Sequence, residues 1–180
     1  MYTAVLNREI VSNEKITKVI SVSFFVLATA FGAYVRIPLP FTPVPITLQT
    51  FFVLLSGLIL GKKLGGVSQF IYLLLGGVGL PLFTNMGALW GPTGGYIFGF
   101  VLASWFAGFL KERKFNIFYP LVLADFVLLF CGTINLSFCA GGFKNAVILG
   151  FLPFIIGDIL KILAVISVYK LLKKNLDLRT

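Results

Sequence analysis

Asp158 and Lys161 stand three residues apart in GFLPFIIGDILKILAVISVYKLLKK (150–174), and they are the only ionisable groups between Val147 and Val168. Charges are costly inside a membrane protein and mostly face a cavity or a pathway. On a helix, the i, i+3 spacing puts both on one face. A carboxylate only accepts hydrogen bonds and an ammonium only donates them. Side by side, they suit a neutral ligand that carries both N–H and C=O, such as a cyclic urea. The same spacing also allows a self-neutralising pair that serves the packing alone.

Asp125, in another apolar run, is a third such charge, either a structural partner for Lys161 or a ligand contact. Gln49, Gln69, Asn85 and Asn135 are polar groups near the ends of apolar runs. In GPTGGYIFGFVLASWFAG a small residue recurs every fourth position, at Gly91, Gly95, Gly99, Ala103 and Ala107. Such stripes let helix backbones approach closely in lipid, which favours packing within the bundle as their role. Ala28 and Gly32 form a shorter pair of the same kind, suited to the bundle or to a partner subunit.

The chain has no histidine, and Cys131 and Cys139 are spaced like no metal or redox motif, so both are expected as buried thiols. No G-x-x-x-x-G-K-[ST] phosphate loop and no nucleophile–base pair stands out. The expectation is a non-enzyme without metal or cofactor. Energy for transport would then come from an ion gradient or from other chains.

The elements that carry these groups follow from composition. Of 180 residues 58% are hydrophobic and 12% charged, and the mean hydropathy is +1.01, which points to a membrane protein embedded in lipid. The apolar runs are continuous, not alternating, so the fold class expected is an all-α integral membrane protein, a compact bundle of six transmembrane helices. The expected spans are 16–35, 47–60, 67–83, 95–110, 117–136 and 153–172. They form one membrane domain over 16–172, between an N-terminal arm, 1–15, and a tail, 173–180. RIPLPFTPVPIT bars a regular helix until after Pro45, GKKLGG turns the chain, and SFCAGGFKN is a loop before the last span. With both termini cytoplasmic, twelve of the 15 basic residues fall inside, as the positive-inside rule requires. Gln49 and Asn85 then lie on the outer side. The net charge of +9 needs no nucleic acid to explain it.

IPLPFTPVPITLQTFFVLLSGLILGKKLG, LLLGGVGLPLF, GPTGGYIFGF and FLPFIIGDILK occur in that order, and together they strongly resemble the BioY family of biotin transporters, the substrate-capture S-components of energy-coupling factor (ECF) transporters. The resemblance covers about residues 24–172. It implies high-affinity biotin uptake in a prokaryotic cell membrane, with biotin taken from the extracellular side into a pocket closed by loops. It also implies an ECF module as partner, two ATPase subunits and one transmembrane coupling protein, although some members work without it. The family's G-D-x-x-K motif falls on Gly157, Asp158 and Lys161, and implies that these side chains meet the ureido ring. Its G-P-T-G-G-Y motif falls on Gly91 to Tyr96, and implies that Gly94, Gly95 and Tyr96 wall the pocket, where backbone amides could hold the valerate carboxylate. Asn85 and Gln49 complete the expected binding set, and Ala28 and Gly32 match the family's patch for the coupling protein. TNMGALW (84–90) departs from the family by being bulkier and holding only Gly87. A self-sufficient ion-coupled carrier using Asp125 and Asp158 as proton sites is the alternative reading.

Overall fold

The first helix begins where Asn13 supplies a cap, its side-chain oxygen accepting from the backbone N–H groups of Lys15 (3.1 Å) and Ile16 (3.4 Å). Such a cap satisfies donors that the first turn leaves free, and Glu14 beside it suits the positive end of the helix dipole. The computed structural model describes residues 13–84, 87–113 and 115–177, with side chains as far as Lys174. Its helices are α1 (Glu14–Tyr34), α2 (Gln49–Gly77), α3 (Gly94–Glu112), α4 (Phe118–Cys139), α5 (Phe143–Gly150) and α6 (Phe154–Asp177).

The proline-rich segment after α1 forms no helix. It makes a two-residue antiparallel ladder, β1 (Arg36–Ile37) with β2 (Ile46–Thr47), and Leu48 N–H closes the turn on Val35 O at 3.0 Å. The chain therefore re-enters the bundle beside the end of α1. Gly32 is buried there because a β-carbon would press on the backbone of Leu48 and Gln49. Its small size serves the bundle interior, while Ala28 is half-buried.

α2 is a hairpin of two legs, not a rod. Gly61 sits at φ +75°, ψ 178°, a conformation open essentially to glycine alone, and it reverses the chain. Gln49 Nε2 donates to Tyr72 Oη at 2.7 Å and Gln69 Nε2 to Ser56 Oγ at 3.2 Å, although in a continuous helix those residues would be about 34 and 20 Å apart along the axis. The reversal frees backbone groups that the end of α3 takes up: Lys111 Nζ donates to Leu58 O, and Lys62 N–H to Glu112 Oε1 (3.1 Å). Spans two and three of the sequence reading are thus the two legs, turned at GKKLGG as expected.

α3 packs between α2 and α4, and the small-residue stripe makes both approaches possible. A β-carbon on Gly95 would collide with Asn135 and Cys131 of α4, and one on Gly57 with Ser104 O of α3. Ala103 and Ala107 are fully buried. Ser56 and Ser104 hydroxyls meet at 2.8 Å, and Gln69 Nε2 also reaches Thr29 Oγ1 of α1 at 3.3 Å, so one buried polar cluster joins three helices. Two expectations change at α4 and beyond it. Cys139 is exposed and Cys131 only half-buried, so they are not the pair of buried thiols expected. The segment read as a loop before the last span contains the start of α5, set off from α4 by Gly141 and Gly142 at positive φ. α5 and α6 are bent 47° apart across Pro153, which lacks an N–H and disfavours helix at the residue before it.

α1, α3 and α4 are each long and apolar enough to cross a membrane, α5 with α6 passes the same test as one bent pair, and the 29 residues of α2 pass it only with its two legs taken together. Beyond its charged first turns, the large exposed residues of α1, among them Val19, Phe24, Leu27 and Phe31, are apolar, as a lipid-facing surface requires.

Candidate functional site

The ends of α1 and of the second leg of α2, the starts of the first leg of α2, α3 and α6, and the middle of α4 come together. There they surround an open cavity, about 630 Å³ with the solvent at its mouth included. Its lining, mostly apolar with a few placed polar groups, is that of a small-molecule site. Five aromatic rings dominate the wall: Tyr72, Phe83, Tyr96, Phe100 and Phe154. Tyr72 and Phe83 meet edge to face at 5.2 Å between centroids, and Tyr96 and Phe154 lie 6.0 Å apart.

α6 delivers the charged pair to this wall. Lys161 Nζ donates to Asp158 Oδ1 at 2.7 Å, with the aspartate 3% exposed and the lysine side chain 11%. Both line the cavity. Phe154, Asp158 and Lys161 share a face because their spacing is i, i+4, i+7. The pair leaves the carboxylate's other oxygen and two ammonium N–H groups for a ligand, so an acceptor and a donor stand side by side. A buried ion pair gains strongly from further hydrogen bonds of this kind, since low dielectric magnifies them.

Gln49 and Tyr96 also line the cavity, but their polar atoms are engaged. Thr47 Oγ1 donates to Gln49 Oε1 (3.1 Å), Gln49 Nε2 to Tyr72 Oη, and Tyr72 Oη to Leu82 O (3.2 Å). This chain of bonds ties β2 to the segment after α2, so the two coverings of the cavity share one anchor. Tyr96 Oη donates to Gly150 O at 2.6 Å. Gly94 and Gly95 do not line the cavity: Gly94 packs on the Leu89 carbonyl and Gly95 on α4. The backbone N–H groups of Gly94 and Tyr96 are already bonded to Gly91 O and Thr93 O, each at 3.1 Å, so they are not free for a carboxylate. Asn85 lies outside the described residues. Asp125, 6% exposed, does not line the cavity, and its Oδ1 has no hydrogen-bond partner among the described residues.

Sequence reasoning missed Tyr72, Phe83, Phe100 and Phe154. With 20 phenylalanines in the chain, a ring that faces a cavity has no local signal separating it from one that faces lipid.

Three comparisons bear on this arrangement. The profile described as the BioY family matches residues 6–177. The biotin transporter BioY of Thermotoga maritima is 39% identical over 164 residues, covering 87% of this chain and 96% of that one. The probable biotin transporter BioY of Pyrococcus horikoshii is 39% identical over 165 residues, covering 89% and 99%. Among solved structures, the S-component for biotin from an ECF-type ABC transporter superposes with a TM-score of 0.79 at 28% identity, covering 90% of this chain and 93% of that one.

Proposed function

The chain belongs to the BioY family, and from that membership we propose that it is a multi-pass membrane protein that captures biotin for uptake, as the substrate-binding subunit of an ECF-type transporter. The observation that carries the reading is the Asp158–Lys161 pair on the wall of an aromatic cavity. Biotin pairs a polar ureido ring with an apolar thiophane ring. Asp158 accepts from a ureido N–H, Lys161 donates to the ureido oxygen, and the aromatic wall covers the thiophane.

Six crossings follow when the legs of α2 count separately and α5 with α6 counts as one. Both termini are then cytoplasmic and the cavity opens outward. Arg36 and Lys144 lie at the cavity end and Lys62, Lys63, Lys111 and Arg113 at the other, the asymmetry that the positive-inside rule reads as outside and inside. Delivery into the cell falls to two ATPase subunits and a transmembrane coupling protein, which docks on α1 near Ala28.

Equilibrium binding of labelled biotin to the purified protein alone tests the reading. Tight binding that is lost in both Asp158→Asn and Lys161→Ala supports it. Absence of binding to a well-folded sample overturns capture by the isolated chain.

A further inference from the structure

Tyr96 meets two features that the binding reading leaves unused. Its ring fills the space over Gly132, where a β-carbon would collide with it, and its hydroxyl reaches Gly150, the last residue of α5. In a continuous helix Gly150 O would accept from the N–H of Phe154 four residues on. Here Phe154 N–H turns back to Phe151 O at 3.2 Å, and Phe151 and Leu152 N–H both go to Val147 O, at 3.1 and 3.0 Å. The bend thus leaves Gly150 O without its helical donor, and buried carbonyls in that position need another. The Tyr96 hydroxyl is that donor. The same ring lies against Phe154, the first residue of α6, whose face continues through Asp158 and Lys161.

We propose that Tyr96 is a positioning residue, a strut from α3 that fixes the elbow between α5 and α6 and thereby sets Asp158 and Lys161 in the cavity wall. This rests on the biotin-binding reading for its functional consequence, though not for its geometry. Tyr96 then contributes to the site through its hydroxyl's hold on a backbone carbonyl, and not by giving that hydroxyl to the ligand.

Tyr96→Phe keeps the ring and removes the hydroxyl with its bond to Gly150 O, while Thr133 keeps its own bond to Leu129 O. Two readouts are taken on the purified protein in detergent: biotin affinity, and amide hydrogen exchange across residues 147–158 compared with α1 and α2. The expected result is an affinity about five- to tenfold weaker, together with faster exchange confined to the elbow. Gly150→Ala, whose β-carbon would collide with the Tyr96 hydroxyl and with Leu136, should show the same local signature with the tyrosine intact. Weaker binding with unchanged elbow exchange in Tyr96→Phe would overturn the proposal, since the hydroxyl would then be touching ligand. Unchanged affinity would overturn it too. Should the wild-type protein bind no biotin, the capture reading fails, whereas unchanged elbow exchange in Tyr96→Phe would still refute the strut.

Discussion

Lys161 reaches back one helical turn to Asp158 at 2.7 Å, and no other ion pair among the described residues lies so deep in the protein. Removing one member of such a pair leaves an uncompensated charge in low dielectric, which costs several kcal/mol. Asp158→Asn should therefore weaken biotin binding by about a hundredfold or more in calorimetry, equivalent to ~3 kcal/mol or more. Asp177→Asn, at the far end of α6, should leave affinity unchanged.

Combining Asp158→Asn with Lys161→Ala should cost less than the two single changes summed, because the second removes the charge that the first strands. A double-mutant cycle on binding checks this, and additive losses would mean that the two side chains act separately.

Tyr72→Phe deletes one hydroxyl that both receives from Gln49 and donates to Leu82. The two loops over the cavity would lose their common anchor. Thermal unfolding should show a loss of about 1–3 kcal/mol, and stopped-flow release of biotin should be faster. A change in stability without a faster release would mean that the anchor serves the fold alone.

Gly61→Ala places a β-carbon at a backbone conformation that only glycine takes comfortably, at a cost of about 1–3 kcal/mol. Gly157→Ala, where a β-carbon meets only Ile46 at 3.8 Å, should be tolerated by the fold. Melting temperatures of the two variants in one detergent decide this, and equal values would contradict the strained turn.

The readable parts of the sequence were those with contrast. Two charges in an apolar run stood out because nothing around them resembled them, and both line the cavity. Glycines at a period of four pointed to packing, and Gly95 and Gly99 pack on α4 accordingly. GKKLGG gave the turn of α2, since its charges and glycines interrupt a long apolar stretch. For Gly94 and Gly95 the motif shows which residues are small, but neither lines the cavity and the Gly94 N–H is already bonded. α5 went unseen because AVILGFLPF is apolar on both sides of its bend: Pro153 marks the break, but nothing in the stretch before it separates a short helix from a loop.

In the six-crossing topology proposed above, the hairpin of α2 also shapes the lipid around the protein. Its legs of 12 and 16 residues rise about 18 and 24 Å, short of a hydrocarbon core of about 30 Å. Ile59, Val67, Phe70 and Leu74 face outward along them. Acyl chains beside this corner must shorten or tilt to meet it, so the molecule presents a thin sector to the bilayer and its energy falls as the membrane thins. In reconstituted vesicles, its stability should therefore rise as acyl chains shorten, a dependence set by one glycine that ends a helix midway.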